Sequence, residues 1–421
     1  MSSSINRMCK NKPVAVTGIG MICPLGISTD ECWGKMLEGK SGIRAITKFD
    51  ASECATRIGG QLPDEYFALE KKTTSKRMFK QTVRSTRITR LCAREALADS
   101  AIDLDSLDHN RAAVIIGTSG SSVRSPDDLG GKGSERFKII REMTNAIPAW
   151  VSLDHGFKGT SYTVSAACSS GSYAIAQACD MIRWGTADFA IAGGVDTLLT
   201  KNTTIRGNFM KVLSERNDEP EKAMRPFDKT REGWVVSDGG CVVVLESYDH
   251  AIKRNAKVYA WVAGHGALSE SYSLYAPAPY GEGMEQTMEI AIEDAQVPKD
   301  TIGYVNANGT STLVNDLCET SAIKKVFGRH AYDLLVSSQK SMIGHSFGGA
   351  GAIEFAVTAL GLKNQKITPT INYEFPDPDC DLNYVPNSMV ETVNLEAAIS
   401  NSFGFGGHNC VLVLTRFPLG K

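Results

Sequence analysis

The sequence predicts a layered α/β fold. Short β-branched runs alternate with helical patterns along most of the 421 residues, and many of these runs end in glycine turns. The runs at 14–20, 112–118 and 189–194 are predominantly apolar, which is typical of strands covered by helices on both faces. Because no Pro- or Ser-rich linker divides the chain, we expect packed halves rather than separate domains.

The composition excludes several classes of protein. Hydrophobic residues make up 42% of the chain and charged residues 22%, unlike a disordered or fibrous protein. Lys and Arg total 45 against 47 for Asp and Glu, so the net charge of −2 creates no overall field for nucleic acid or a membrane. We expect neither as a partner, and a charged partner would have to meet a local patch.

The cysteines and the apolar segments indicate a compartment. The 11 cysteines include no CxxC pair and no Cys/His cluster with zinc-site spacing, so we expect buried, reduced thiols and no metal or other cofactor. Residues 1–13 lack the apolar core of a signal peptide, and no stretch approaches the ~18 apolar residues of a membrane span. A cytoplasmic protein is the expectation.

Two segments of the chain are loosely alike. Residues 154–185 and 334–361 both have the pattern of a strand, a turn and a tight helix of small residues. Each turn carries a reactive side chain, Cys168 in the first segment and His345 in the second. Chance could explain one such match, but a duplicated α/β unit with its site between the halves explains both.

Cys168 is the candidate nucleophile, because it lies between a β-type run and an Ala-rich helix. At a helix N-terminus, free amides and the helix dipole stabilise a thiolate, so we expect the pKa of Cys168 to be lowered. The alternative is a small buried hydrophobe, the usual fate of an intracellular cysteine. Position alone leaves both interpretations open.

Three further segments each contain the end of a predicted strand and a turn, at residues 304–312, 337–349 and 401–409. The last is rich in glycine and could direct backbone N–H groups at a developing oxyanion. Together with the runs at 14–21, 225–228 and 232–240, these segments resemble the β-ketoacyl-acyl carrier protein (ACP) synthases of the thiolase-like superfamily, in the branch that elongates fatty acids and polyketides.

The resemblance covers effectively the whole chain and carries expectations about fold and reaction. It implies a duplicated five-layer α/β/α/β/α sandwich, with halves at residues 1–255 and 256–421. It also implies a homodimer, or a heterodimer with a related subunit. The implied reaction is a decarboxylative Claisen condensation on ACP-bound thioesters.

The resemblance assigns roles to individual residues. Cys168 matches the nucleophile that accepts the acyl chain, and its backbone N–H and that of Phe405 match the oxyanion hole. Phe405 also matches a gating aromatic residue. His345 matches an active-site histidine, which can titrate near neutrality. Lys340 matches a lysine that supports this network electrostatically, with Glu354 as its partner.

One position departs from the family pattern. Where the family has His-Gly-Thr-Ser-Thr, this chain has Asn308 followed by Gly-Thr-Ser-Thr. The family uses that histidine to help decarboxylate the malonyl group, whereas an amide can donate a hydrogen bond but cannot pass a proton. Three explanations stay open: an engineered knock-out, a natural synthase that only transfers acyl groups, and a natural variant that condenses slowly.

Substrate-binding expectations also follow from the resemblance. Thr310 and Thr312 match hydroxyls that hold the pantetheine arm of the carrier. Gly120 lies about where the family has a side chain that limits the length of the acyl chain. Without that side chain, the pocket would admit a long acyl chain or an unsaturated polyketide. The alternative is a turn whose backbone needs glycine.

A basic cluster is the predicted docking surface for an acidic ACP. Between residues 71 and 94 the basic side chains occur without an acid. Four of them have the spacing of one helix face, namely Lys76, Lys80, Arg84 and Arg87. The resemblance places docking at Lys76, Arg77 and Lys211. A solvated helix face is the alternative.

Other functions are weighed against a ketosynthase. The partner subunit of a heterodimeric ketosynthase usually lacks the nucleophile, whereas Cys168, Lys340 and His345 are all present here. A thiolase would need a second catalytic cysteine, which has no match at 407–411. A non-elongating acyltransferase remains an alternative because of Asn308.

Overall fold

Strands and helices alternate along the chain. The computed structural model describes residues 13–120, 135–392 and 394–418. The strands are β1 Val14–Ile22, β2 Ile43–Ala45, β3 Ile58–Gly60, β4 Ala112–Gly117, β5 Ser161–Val164, β6 Phe189–Thr197, β7 Asp238–Ser247, β8 Ala260–Ser269, β9 Ile302–Asn306, β10 Leu335–Ser337, β11 Lys366–Ile367, β12 Val390–Glu391, β13 Ala397–Gly404 and β14 His408–Thr415. The α-helices are α1 Thr29–Leu37, α2 Asp64–Thr73, α3 Lys76–Gln81, α4 Arg84–Ser100, α5 Lys138–Glu142, α6 Ala146–His155, α7 Ser170–Arg183, α8 Lys201–Phe209, α9 Tyr248–Lys253, α10 Glu282–Ala295, α11 Leu313–Phe327, α12 Lys340–Ile343 and α13 Ala350–Asn364.

Most of the strands belong to one mixed sheet with the order β10-β9-β13-β14-β8-β1-β7-β6-β4-β5. Strands β1, β4, β5, β6 and β7 recur as β8, β9, β10, β13 and β14, with the same neighbours and the same parallel or antiparallel pairing. The two sets join through a short pairing of β1 with β8. The expected duplication is therefore present in the sheet.

Helices cover this sheet in three layers. Helices α4 and α6 pack on the first set of strands, and α10 packs on the second set and against α11. Between them lie α7 and α13, which contact each other and strands of both sets. The fold is the expected five-layer α/β/α/β/α sandwich, since apolar strands need helices on both faces.

The two central helices approach closely at their N-terminal ends. A Cβ on Gly171 of α7 would lie 2.9 Å from the backbone nitrogen of Ala352 on α13, so glycine permits this close approach. The hydroxyls of Ser172 and Ser402 are 2.8 Å apart at the same place. Because α7 follows β5 and α13 follows β10, this packing brings together the two turns that carry Cys168 and His345.

Two further observations bear on the setting of the protein. Of the helices in the described part of the chain, none combines the length and apolar character needed to cross a membrane. The ten cysteines in that part are free thiols, and all of them are buried as expected.

Candidate active site

Cys168 lies in a tight turn between β5 and α7. The N–H of Ser169 donates to the carbonyl oxygen of Ala166 at 3.1 Å. Ala167 has a φ of 48°, in the left-handed region that residues other than glycine rarely adopt. Such backbone strain persists where the surrounding structure over-determines it, often at a functional site. Cys168 is only 8% exposed.

The glycine-rich turn between β13 and β14 lies against this cysteine. The backbone N–H of Phe405 hydrogen-bonds the Cys168 thiol. Ser169 Oγ donates to the carbonyl oxygen of His408 at 2.6 Å, which ties the two turns together. Gly406 and Gly407 have φ values of 82° and 71°, which allow the turn to bend so sharply. At least one N–H group therefore points at the reacting sulfur.

His345 lies in the turn after α12, and its ring packs against two aromatic side chains that also contact each other. The ring centroids are 4.6 Å from Trp234 and 5.3 Å from Phe347. Ring Nδ1 is buried without a hydrogen-bond partner. Burial and the charge of Lys340 hold the pKa of His345 well below the ordinary 6.5. The expectation that this histidine titrates near neutrality is therefore wrong, because an imidazolium would be desolvated there.

Lys340 is buried, and its ammonium group has three acceptors. It forms the expected ion pair with Glu354, and both side chains are 1% exposed. It also donates to the backbone oxygen of Asn308 at 2.7 Å and to the Asn308 Oδ1 at 3.2 Å. Since an ammonium group has three N–H bonds, Lys340 can supply charge to the site but has no donor left for a substrate.

The carboxamide of Asn308 is engaged at both ends. Its Oδ1 accepts from Lys340, and its Nδ2 donates to the Asn315 Oδ1 at 2.9 Å. Nδ2 also lies 3.4 Å from the carbonyl oxygen of Phe403, a long contact. Because Lys340 can only donate, the oxygen end of the carboxamide must face it. The orientation of Asn308 is therefore fixed by the protein.

Glu319 on α11 supports the same turn and was missed by sequence reasoning. Its carboxylate accepts from the backbone N–H groups of Asn308 and Gly309, each at 2.8 Å. The Asn401 Nδ2 donates to it at 3.1 Å. Burial raises the pKa of Glu319 to about 7. The sequence did offer one signal for Glu319: it lies three residues after Asp316, and acids at that spacing share one helix face.

A cavity of about 370 Å³ brings the candidate residues together. Its walls include Cys168, Lys211, Asn308, Thr310, Thr312, His345 and Phe405. The hydroxyls of Thr310 and Thr312 are 2.9 Å apart on one wall. A second cavity of about 1040 Å³ meets the first at Cys168, and Phe405 and Trp234 line both. A nucleophile between two cavities can receive a carrier arm from one side and place an acyl chain in the other.

Two family models together match most of the chain. The Beta-ketoacyl synthase, N-terminal domain matches residues 11–251, and the Beta-ketoacyl synthase, C-terminal domain matches residues 259–374. The chain belongs to the beta-ketoacyl synthase family.

Relatives and solved structures agree with this family assignment. The synthase is 38% identical to the 3-oxoacyl-[acyl-carrier-protein] synthase 2 of Coxiella burnetii, over 97% of this chain and 99% of that protein. It is 36% identical to the protein of the same name from Synechocystis, with the same two coverages. Its structure is similar to the ishigamide ketosynthase/chain length factor, with a TM-score of 0.87, 29% identity and coverage of 97% of this chain and 100% of that chain.

A third similar structure is a type II PKS acyl-carrier protein in complex with its ketosynthase bound to the hexaketide. Its TM-score to this synthase is 0.86 at 28% identity, over 96% of this chain and 99% of that chain. The likeness therefore extends along nearly the full length of both chains.

The basic cluster of this synthase does not form one helix face. Helix α3 ends at Gln81 and α4 begins at Arg84, so the two are separate helices. Arg84 and Arg87 are buried in α4. Arg87 forms an ion pair with Glu70 at 2.7 Å. Its charge is therefore used by a carboxylate that lies outside residues 71–94 and is not available to a carrier. The expectation of a continuous basic face is therefore wrong. Lys76 and Arg77 are exposed at the start of α3, as docking would require.

Gly120 lies at the end of a described stretch of the synthase. Its φ of 105° is one that favours glycine, which supports the turn interpretation. A Cβ at Gly120 would meet no atom within 4 Å, and this residue does not line either of the two cavities described above. Its effect on chain length stays a prediction.

The pKa of Cys168 does not follow the expectation from its position. Burial raises it to about 11, although the Lys340 charge and the Phe405 N–H act in the opposite direction. Cys168 precedes α7 by two residues, and the free amides at that end do not offset the loss of water. The expectation of a lowered pKa is therefore wrong, and the thiol is protonated near neutral pH.

We therefore expect a steep pH dependence for alkylation of Cys168. Between about pH 6 and about pH 9, its rate with iodoacetamide should rise about tenfold for each pH unit, because a thiol with a pKa of about 11 gains thiolate in that proportion. Intact-mass spectrometry measures the rate, with Cys168→Ser as the blank for other thiols. A rate that levels off near pH 7 would contradict the protonated resting thiol.

Proposed function

We propose that this β-ketoacyl synthase loads an acyl chain from ACP onto Cys168, and that Asn308 slows or blocks the condensation with malonyl-ACP that a histidine there would permit. The relatives named 3-oxoacyl-[acyl-carrier-protein] synthase 2 and the type II PKS ketosynthase structure support a role in fatty-acid or polyketide biosynthesis. The engaged carboxamide of Asn308 is the observation that carries the second part of the proposal.

The first half-reaction needs the nucleophile, its oxyanion donors and a proton relay, but no side chain at position 308. The sulfur of Cys168 bonds to the acyl carbon, the bond to the pantetheine sulfur breaks, and the thiol proton ends on that leaving sulfur. Negative charge develops on the acyl oxygen, where the N–H of Phe405, and by the family pattern that of Cys168, can stabilise it. The neutral ring of His345 lines the same cavity and can relay the proton.

The second half-reaction depends on side-chain donors. When malonyl-ACP loses CO₂, negative charge moves onto its thioester oxygen, which must be stabilised by the groups at positions 308 and 345. His345 can donate one hydrogen bond as a neutral imidazole, whereas the Nδ2 of Asn308 is held by Asn315. Losing an acid/base or donor group commonly lowers a rate by ~10²–10⁴-fold. The expected loss of rate is the same whether Asn308 is natural or engineered.

An ACP and a second subunit are the proposed partners. Lys76 and Arg77 are exposed on α3, and Lys211 is exposed at the cavity that reaches Cys168, so all three can meet an acidic carrier. Thr310 and Thr312 line that cavity, which supports the proposal that their hydroxyls hold the pantetheine arm. The ketosynthase/chain length factor structure supports pairing with an identical or related subunit. We place the synthase in the cytoplasm.

We also propose that residues 1–255 and 256–421 are the two halves of this synthase. The first half supplies Cys168 and the second supplies Asn308, Lys340, His345 and Phe405. The repeated pattern of strands supports this division, since β7 ends the first set and β8 begins the second.

The loading step is tested by incubating the protein with acyl-ACP and then with malonyl-ACP. We expect one acyl adduct on Cys168, which persists after malonyl-ACP is added because condensation is slow. Intact-mass spectrometry follows the adduct, and Cys168→Ala should carry none. A protein that stays unmodified while a condensing relative is acylated under the same conditions would overturn the proposal.

Charge reversal tests the docking surface. The double variant Lys76→Glu with Arg77→Glu should slow acyl transfer from acyl-ACP several-fold and leave transfer from a small acyl thioester unchanged, since only the carrier needs the basic surface. Added salt should mimic the effect on acyl-ACP. Lys253→Glu on α9 is the matched control, because Lys253 is exposed and lines neither cavity. Equal losses with both donors would contradict docking at α3.

A further inference from the structure

We propose that Asn315 is a positioning residue that holds the Nδ2 end of Asn308 away from the substrate and thereby limits the second half-reaction. The inference rests on the proposed function, because it concerns the step that Asn308 slows. Asn315 lies in the first turn of α11 and lines the same cavity as Cys168. It is half-buried, so its side chain faces both the cavity wall and the protein.

The side chains form a hydrogen-bond chain with one direction. Lys340 donates to the Asn308 Oδ1 at 3.2 Å, and the Asn308 Nδ2 donates to the Asn315 Oδ1 at 2.9 Å. The Asn315 Nδ2 then donates to the Asp316 Oδ1 at 3.1 Å. Each amide accepts on one side and donates on the other, so neither can rotate by itself without breaking two contacts.

Charges at both ends set this direction. Lys340 has no acceptor atom, and its charge is held in place by Glu354. Asp316 is fully buried, lies 3.6 Å from the Arg231 guanidinium and accepts the backbone N–H of Phe227 at 2.9 Å. Reversing both amides would turn N–H groups toward an ammonium and oxygens toward a carboxylate. The observed arrangement is therefore the only favourable one.

The consequence concerns the donors that Asn308 can offer. One of its two N–H bonds goes to Asn315, and the second has only the 3.4 Å contact with the Phe403 carbonyl oxygen. Removing the Asn315 oxygen would free the first N–H while Lys340 still holds the Oδ1 end. A freed N–H at the cavity wall can donate to the thioester oxygen of malonyl-ACP, where negative charge develops.

Two substitutions at position 315 separate this role from general damage. Asn315→Ala removes the acceptor and should raise CO₂ release from malonyl-ACP at least about tenfold; a well-placed oxyanion donor is worth about 10²–10³-fold, and the freed N–H is only partly positioned by Lys340. Asn315→Gln keeps both an acceptor for the Asn308 Nδ2 and a donor for Asp316, and should stay at the low rate. Acylation of Cys168 should be unchanged in both. Asn364→Ala, at the exposed end of α13, is the control.

A double-mutant cycle decides whether the effect acts through Asn308. In an Asn308→Ala background the restrained N–H is absent, so Asn315→Ala should no longer change CO₂ release. No gain from Asn315→Ala in the parent, or the same gain in both backgrounds, would overturn the role of Asn315. With either result, the proposed function is still supported if Asn308→His accelerates CO₂ release. Asn315→Leu, which has nearly the shape of asparagine but no acceptor, repeats the test should the alanine variant not fold.

Discussion

The buried ion pair between Lys340 and Glu354 is the interaction on which the site depends. Two charges removed from water are costly unless they are paired and hydrogen-bonded. The remaining N–H bonds of Lys340 are satisfied by Asn308, whereas the Glu354 Oε2 is buried without a hydrogen-bond partner. The same ammonium charge helps to keep His345 neutral and partly offsets the effect of burial on the pKa of Cys168. One charge thus sets the orientation of an amide and acts on the protonation of two reacting groups.

In the proposed mechanism, this arrangement assigns the two half-reactions to different groups. Acyl transfer to Cys168 relies on backbone N–H groups of turns that glycine and the Ser169 contacts hold in place, and none of these depends on the side chain at 308. Decarboxylation, as proposed, relies on side-chain donors that line the same cavity, where Lys340 and Asn315 hold the carboxamide of Asn308. A change at one residue can therefore impair the second reaction and leave the first intact.

Sequence patterns and the family resemblance predicted the layers and several residues that line one cavity, but not the electrostatics of these residues. Apolar runs and glycine turns indicate covered strands, and the likeness of 154–185 to 334–361 reflects the repeated β5–α7 and β10–α13 units. The pKa values of Cys168 and His345 were mispredicted because burial depends on tertiary packing. The basic helix face was mispredicted because its partner, Glu70, lies just outside the cluster. The contacts that Glu319 and Asn315 make with Asn308 could not be predicted, because they depend on how α11 packs against the turn at 308.

The central claim is that the fixed carboxamide of Asn308 limits decarboxylation and nothing else. The most direct measurement compares single-turnover CO₂ release from malonyl-ACP and acylation of Cys168 in this protein and in Asn308→His. An imidazole extends one ring atom further into the cavity than a carboxamide, so the account predicts CO₂ release faster by ~10²–10⁴-fold with acylation unchanged. Equal CO₂ release by the two proteins would contradict it.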